Sequence, residues 1–208
     1  MKQTLIAIPC MDQCASQFMI SLANLDRDGI GKVMCGAEIN TLVHMARNSF
    51  ARMAINAGVD YVMWFDSDMV FPPDTLKRMI AHMEDGLDIV SGIYFKRRPP
   101  FSPVLYKRIS TEPAEDGTYW EEYSDYPKDS LFEIAACGFG CVMCRTSVLL
   151  DVQLNEPGMF NMIGSFGEDI SFCIRARNLG YKIWCDSSIK CGHVGHLVVD
   201  ESAYEAMR

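Results

Sequence analysis

The segment from Tyr61 to Pro73, Tyr-Val-Met-Trp-Phe-Asp-Ser-Asp-Met-Val-Phe-Pro-Pro, limits the fold more than any other stretch. Its five leading apolar residues, β-branched and aromatic among them, read as a strand buried on both faces, as in a parallel sheet. Two aspartates, Asp66 and Asp68, close the run, and neither carboxylate belongs inside a core. The strand must therefore deliver them to its C-terminal edge, where open α/β sheets bind ligands. An Asp-x-Asp pair at that edge offers hard oxygens suited to Mg2+ or Mn2+, with phosphate oxygens completing the shell. Aspartate and serine also follow strands in ordinary turns, so the placement carries the reading and not the tripeptide.

The remaining chain supplies elements of the same architecture. Thr4 to Ile8 reads as a first strand, left through Pro9-Cys10-Met11-Asp12. Phe18, Met19, Leu22 and Leu25 recur at helical spacing, and Val33 to Cys35 forms a short strand ended by Gly36. Ile39, Leu42, Val43, Ala46, Phe50, Met53, Ala54 and Ala57 predict a long amphipathic helix closed by Gly58. On its margin, Arg47 either reaches with its head toward the sheet edge or, the reading the local pattern favours, is a surface arginine with its stem along the apolar stripe. Pro72-Pro73-Asp74 opens a helix through Leu76, Met79, Ile80 and Met83, and Asp88 to Tyr94 follows as a strand. This alternation predicts an α/β fold: one Rossmann-type domain whose mostly parallel central sheet is flanked by helices.

From Lys96 to Ser130 the pattern breaks. The basic stretch Lys96-Arg97-Arg98-Pro99-Pro100 leads into a small hairpin turning at Asp116-Gly117, with Tyr119, Trp120, Tyr123 and Tyr126 among carboxylates. Such an excursion either stacks on a sugar ring or nucleobase or merely covers the sheet. Leu131 to Leu150 returns to core, and the glycines of Gly138-Phe139-Gly140 permit close backbone approach. Residues 155–166 read as a loop. Gly167-Glu168-Asp169 then opens a helix closed by Gly180, where acidic residues suit the helix dipole. A strand from Tyr181 to Cys185 runs toward Cys191-Gly192-His193-Val194-Gly195-His196.

Composition narrows the function. A formal net charge of -8 argues against a general nucleic-acid or anionic-membrane binder. Nine cysteines, no leader pattern and no run of ~18 apolar residues predict a cytoplasmic protein with free thiols and no transmembrane segment. Zinc on Cys137, Cys141 and Cys144, completed from Cys185, Cys191 or the histidines, is disfavoured. Positions 141 and 144 of one strand point to opposite faces. No nucleophile elbow, P-loop or Rossmann dinucleotide fingerprint is present. What remains is two carboxylate pairs, a histidine loop and an arginine beside the sheet edge. That set fits electrophile transfer from a nucleoside diphosphate.

The motifs now stand in a recognisable order. Ala46-Arg47-Asn48, the Tyr61–Asp68 strand, Gly167-Glu168-Asp169 followed by Phe172 and Arg175, and Tyr181-Lys182-Ile183-Trp184 leading to Gly192-His193 span nearly the whole chain. In this order the chain resembles GT-A-fold glycosyltransferases, small members of glycosyltransferase family 2 especially. The resemblance implies a hexosyltransferase-like enzyme that moves a sugar from a nucleotide-sugar donor, UDP-sugar by default, to an acceptor hydroxyl with inversion. It implies Mn2+ or Mg2+ on Asp68, His193 and Asp66, with His193 matching the family's histidine better than His196. Pro9, Cys10, Met11, Asp12, Arg47, Asp66, Ser67 and Asp68 would meet the donor, and Gly138, Phe139 and Gly140 would line donor and acceptor. Asp169 matches the catalytic base, with Glu168 beside it, and Trp120 and Tyr94 are acceptor candidates. Residues 1–95 would form the nucleotide-binding half and 96–208 the acceptor and catalytic half. The acceptor, whether glycan, lipid-linked or protein, stays open, as does homo-oligomerisation. A nucleotidyltransferase acting on sugar phosphates and a non-catalytic nucleotide-sugar or glycan-binding module are the competing readings.

Overall fold

The structure, a computed structural model, describes residues 2–195, so His196 lies outside the described residues. In chain order the elements are β1 (Thr4–Pro9), α1 (Ser16–Ala23), β2 (Val33–Glu38), α2 (Val43–Ala57), β3 (Tyr61–Phe65), β4 (Met69–Val70) and α3 (Thr75–Glu84). They continue with β5 (Ile89–Ile93), β6 (Leu105–Ile109), β7 (Trp120–Glu122), β8 (Leu131–Ile134), β9 (Ala136–Cys137), β10 (Cys141–Arg145), α4 (Thr146–Asn155), α5 (Glu168–Asn178), β11 (Ile183–Lys190) and β12 (Gly192–His193).

A seven-stranded sheet, in the order β2-β1-β3-β10-β5-β11-β8, forms the spine of the molecule. β2, β1, β3, β5 and β11 run one way; β10 and β8 run against them. The sheet is thus mostly parallel, but its centre is not: β10 is inserted antiparallel between β3 and β5. The chain leaves the small β7-β6-β9 sheet through β9, enters β10 beside Phe65 at the end of β3, and runs back to Tyr61.

β3 is buried along its whole length, as a strand covered on both faces must be. Val62 and Trp64 point to the side covered by α2, α4 and α5; Tyr61, Met63 and Phe65 point to the side covered by α1 and α3. Around Trp64 stand Phe50, Phe139 and Phe160, at ring-centre distances of 6.4, 6.1 and 5.3 Å. Phe160 in turn stacks on Phe172 at 4.6 Å. Arg47, which reaches the site described below, lies over Trp64 and Phe139 of this block.

Several elements depart from the sequence reading: β2 runs through Gly36 to Glu38, and β11 begins at Ile183 and continues to Lys190. α2 begins at Val43, not at Ile39, because Asn40 adopts φ 57 and breaks the helix before it starts. Its sheet-facing stripe becomes Ala46, Arg47, Phe50, Ala51 and Ala54, leaving Ile39, Leu42 and Met53 exposed. Gly58 ends the helix as expected, at φ 64, a left-handed cap that suits glycine. α4 was not foreseen: it follows β10 with no glycine or proline between them, so strand and helix read as one apolar run. No helix among the described residues is long and apolar enough to cross a membrane.

Candidate active site

The loop after β1, the Asp66-Ser67-Asp68 turn, the start of α2, the loop from β5 to β6, the first turn of α5 and β12 enclose a cleft of about 900 Å3. Pro9, Cys10, Met11, Asp12, Arg47, Asp66, Ser67, Asp68, Tyr94, Glu168, Asp169 and His193 all line it. Residues spread over the sequence from 9 to 193 thus meet at one sheet edge.

Asp68 and His193 come together on the floor of the cleft. β12 pairs with β4, setting His193 opposite Met69, and the Val194 N–H donates to the Asp68 carbonyl at 2.8 Å. His193 Nδ1 lies 2.9 Å from the Phe95 carbonyl oxygen. A carbonyl can only accept, so Nδ1 carries a proton, and Nε2 faces Asp68 Oδ2 at 3.5 Å. Burial works against charge on both groups. Their pairing outweighs it, holding Asp68 below the usual carboxylate range and His193 above the usual imidazole range. The same Oδ2 accepts from Arg97 Nη1 at 2.7 Å.

These donors fit a divalent cation: a carboxylate oxygen and an imidazole nitrogen face one point, and the other ring nitrogen is fixed by a backbone carbonyl. Among the described residues no three His, Cys, Asp or Glu side chains converge on one point. Asp66, the third candidate ligand, accepts at Oδ1 from Arg47 Nη2 at 2.8 Å.

Arg47 is not a surface residue. It is 2% exposed, with Nε donating to Glu168 Oε1 at 3.2 Å and its guanidinium over Phe139 and Trp64 at 5.4 and 5.8 Å. Desolvation alone would weaken its hold on the proton, but Asp66, Glu168 and Asp169 reverse that, so it stays a cation. Its third nitrogen, Nη1, is buried without a partner among the described residues.

Glu168 and Asp169 begin α5 and divide into different roles. Glu168 is engaged by Arg47, whereas among the described residues the Asp169 carboxylate accepts only from the Ile170 N–H at 2.7 Å. Burial, then the charge of Glu168, push Asp169 up to about 7, with Arg47 pulling the other way. Tyr106 and Tyr94 both border it. Burial and the Asp169 charge raise the Tyr106 phenol to about 12, and burial with Asp66 and Asp169 raises that of Tyr94 as well.

The loop of residues 155–166 is held in place from two sides. Arg175 on α5 grips the Glu156 carboxylate with two nitrogens and donates to the Asn161 carbonyl at 2.6 Å. Asn48 on α2 accepts from the Phe160 N–H at 3.1 Å.

Tyr94 lies under Gly138-Phe139-Gly140 and not out in the cleft mouth. The Gly140 N–H donates to its hydroxyl at 3.2 Å, and the Gly140 carbonyl accepts from the Asp66 N–H at 3.1 Å. A Cβ on Gly138 would fall 2.0 Å from the Tyr94 hydroxyl and 2.8 Å from Val104 Cγ1. We therefore expect Gly138→Ala to lower stability by roughly 2 kcal/mol, seen as a fall of several degrees in Tm. An unchanged Tm would mean that the tyrosine yields without cost.

Trp120 stands apart from this set. It sits on β7, 46% exposed, with its edge on Phe166 at 6.3 Å, and it does not line the cleft. Sequence reasoning gave no role to Arg97. A basic run directly after a strand that ends at the ligand-binding edge was the available signal.

A mostly parallel sheet with carboxylates, a histidine and a buried arginine gathered at its C-terminal edge defines a GT-A fold. The chain belongs to glycosyl transferase family 2, whose model matches residues 38–150, over half its length, and it is a glycosyltransferase. Among solved structures, A197 from STIV is similar at a TM-score of 0.63 and 18% identity, covering 94% of this chain and 87% of that one. GalNAc-T7, crystallised with UDP, GalNAc and Mn2+, is similar at a TM-score of 0.63 and 11% identity, covering 94% of this chain. The present chain spans 43% of that larger protein. At such identities the likeness is one of fold. A comparison with curated protein sequences returns no match.

Proposed function

We propose that the chain transfers a sugar from a nucleoside-diphosphate donor, UDP-sugar by preference, to an acceptor hydroxyl with inversion, in a reaction dependent on Mn2+ or Mg2+. The observation that carries this reading is the meeting, in one cleft, of the oriented Asp68–His193 pair with the Asp169 carboxylate, which no other side chain among the described residues engages. Asp68 and His193 would hold the cation; when bound, it supplies charge neutralisation for the departing diphosphate. Asp169 takes the proton of the acceptor hydroxyl as its oxygen attacks the anomeric carbon and the bond to the diphosphate breaks. A carboxylate raised to about 7 is a stronger base than an ordinary one yet still ionised in half the molecules at neutral pH.

Arg47 serves from below, fixing Asp66 and Glu168 so that neither carboxylate competes for the acceptor proton. The loop after β1 meets the nucleotide, and we assign residues 1–95 to the donor half and 96–208 to the acceptor and catalytic half. Nine free thiols suit a cytoplasmic setting. A nucleotidyltransferase would want cations on the loop after β1, and residues 9–15 contain none.

Thermal-shift titration with nucleoside diphosphates and nucleotide sugars, with and without Mn2+, tests the reading. At a hundredfold excess over Kd the wild type should gain about 2.7 kcal/mol of apparent stability, dependent on Mn2+. Asp68→Ala should lose that gain. A well-folded wild type indifferent to every nucleotide would reject the donor site.

A further inference from the structure

We propose that Arg97 and Arg98 bind the donor's diphosphate, and that Arg97 reaches it by leaving the Asp68 carboxylate it holds in the ligand-free chain. The inference rests on the donor reading above and assigns to it residues that the Asp-x-Asp and Glu-Asp motifs do not contain.

Charge accounting within the cleft leads to these two side chains. Its carboxylates are Asp12, Asp66, Asp68, Glu168 and Asp169, and its permanent cations are Arg47, Lys96, Arg97 and Arg98. Arg47 is committed to Asp66 and Glu168, and Lys96 turns away to Glu122 at 2.6 Å. A diphosphate brings several negative charges into a site that is already acidic. Among the described residues lining the cleft, only Arg97 and Arg98 are placed to meet it. Planar guanidinium forks suit phosphate oxygens, and two successive arginines can each take a different phosphate.

Arg97 cannot stay where it is when the site fills. It sits 2.7 Å from Asp68 Oδ2, the same oxygen that His193 faces at 3.5 Å. A cation held by Asp68 and His193 needs that oxygen, and two positive centres on one carboxylate oxygen repel. Its release costs little, because Arg97 is 48% exposed and half-exposed ion pairs of this kind contribute weakly.

The loop that carries the two arginines is anchored at its base and free at its tip. Phe95 bridges to Pro103, the Lys96 N–H donates to the Ser102 carbonyl at 2.9 Å, and Lys96 and Ser102 both bond the Glu122 carboxylate. At the tip, the Phe101 N–H closes on the Arg98 carbonyl at 2.9 Å, with Phe101 at φ 55. The stem of Arg97 lies against Gly195, within 3.6 Å of where a side chain would begin. Anchoring keeps the guanidinium over the cleft, so leaving Asp68 carries it toward the phosphates and not into solvent.

The two roles predict effects of opposite sign in one variant. Binding of MnCl2 alone and of UDP at saturating Mn2+ should be measured by calorimetry on wild type, Arg97→Gln, Arg97→Lys, Arg98→Gln and Asp68→Ala. Without the competing guanidinium, Arg97→Gln should bind Mn2+ alone about three- to tenfold tighter than wild type. The same protein should bind UDP about tenfold more weakly, as should Arg98→Gln. Arg97→Lys keeps the charge but loses the fork, so its Mn2+ affinity should stay near wild type while UDP weakens. If wild type binds both probes and Arg97→Gln shows no gain in Mn2+ affinity or no loss for UDP, the assignment is wrong. If wild type binds neither probe, or Asp68→Ala binds both as well as wild type, the donor reading falls and takes this one with it.

Discussion

Asp169→Asn should reduce kcat by about a thousandfold or more while leaving UDP affinity within about twofold of wild type, the signature of a lost general base. The substitution is nearly isosteric, and asparagine keeps an oxygen for the Ile170 N–H. The donor contacts proposed above lie at Asp68, His193 and the loop after β1, on other elements, so binding and chemistry should separate cleanly. In wild type the acid limb of the pH–rate profile should fall near pH 7, where the raised carboxyl of Asp169 ionises. Stability should carry a mirror-image signal. An ordinary carboxylate loses its proton near pH 4, so between about pH 4 and 7 the folded chain retains a proton that the unfolded chain has released. The associated stability is fully present below about pH 4 and is lost as pH rises through 7. Asp169→Asn removes that loss and should be more stable than wild type at pH 8, by on the order of 1–2 kcal/mol, and nearly equal to it at pH 4. Near-normal transfer by the variant would end the role proposed for Asp169.

The parts of this fold that are legible in the sequence are those where chemistry changes abruptly. Five buried apolar residues followed by two carboxylates can only be a strand meeting its solvent edge, and the structure puts β3 and Asp66-Ser67-Asp68 there. Direction is a different matter. Cys141 to Arg145 is as continuously apolar as a parallel strand, and nothing in that pattern distinguishes the antiparallel β10 from its neighbours. The alternation of strands and helices predicts a mostly parallel sheet and is silent about one reversed strand at its centre. The boundary between β10 and α4 is hidden for a related reason: Arg145 and Thr146 join two buried elements without a breaking residue.

The local pattern around Arg47 points to the surface, whereas the family resemblance points to the donor site; the residue is buried at the cleft, and what the local pattern lacks is its distant partners. A charged residue on an apolar stripe is normally a surface residue because burying it alone is prohibitive. Here the partners that make burial tolerable are Asp66 and Glu168, the second 121 residues away. No local pattern can announce such a partner. The site residues on motifs were legible because each motif is local; the contacts that join them, Arg47 to Glu168 and Phe95 to His193, exist only once the sheet has brought its ends together.

Arg47→Met should accordingly be the most destabilising single change in the cleft. The methionine fills much of the same volume against Trp64 and Phe139, so the loss isolates charge from packing. What it leaves is Glu168, Asp66 and Asp169 close together in a partly desolvated pocket without the cation that lay among them. Breaking a buried pair in this way costs about 3 kcal/mol, which for a chain of this size is a fall of roughly 6–12 °C in Tm. Arg47→Lys should recover only part of it, since one ammonium cannot reproduce a fork that spans two carboxylates 2.8 and 3.2 Å from different nitrogens. The more diagnostic effect is on the reaction. Arg47 is the main charge holding the Asp169 proton affinity down, so its removal should move the acid limb of the pH–rate profile to higher pH. In Arg47→Lys, folded at 25 °C, the limb should lie nearer to wild type than in Arg47→Met. A purely structural arginine would lower Tm and leave the limb where it was, and that pattern would detach Arg47 from the catalytic carboxylate.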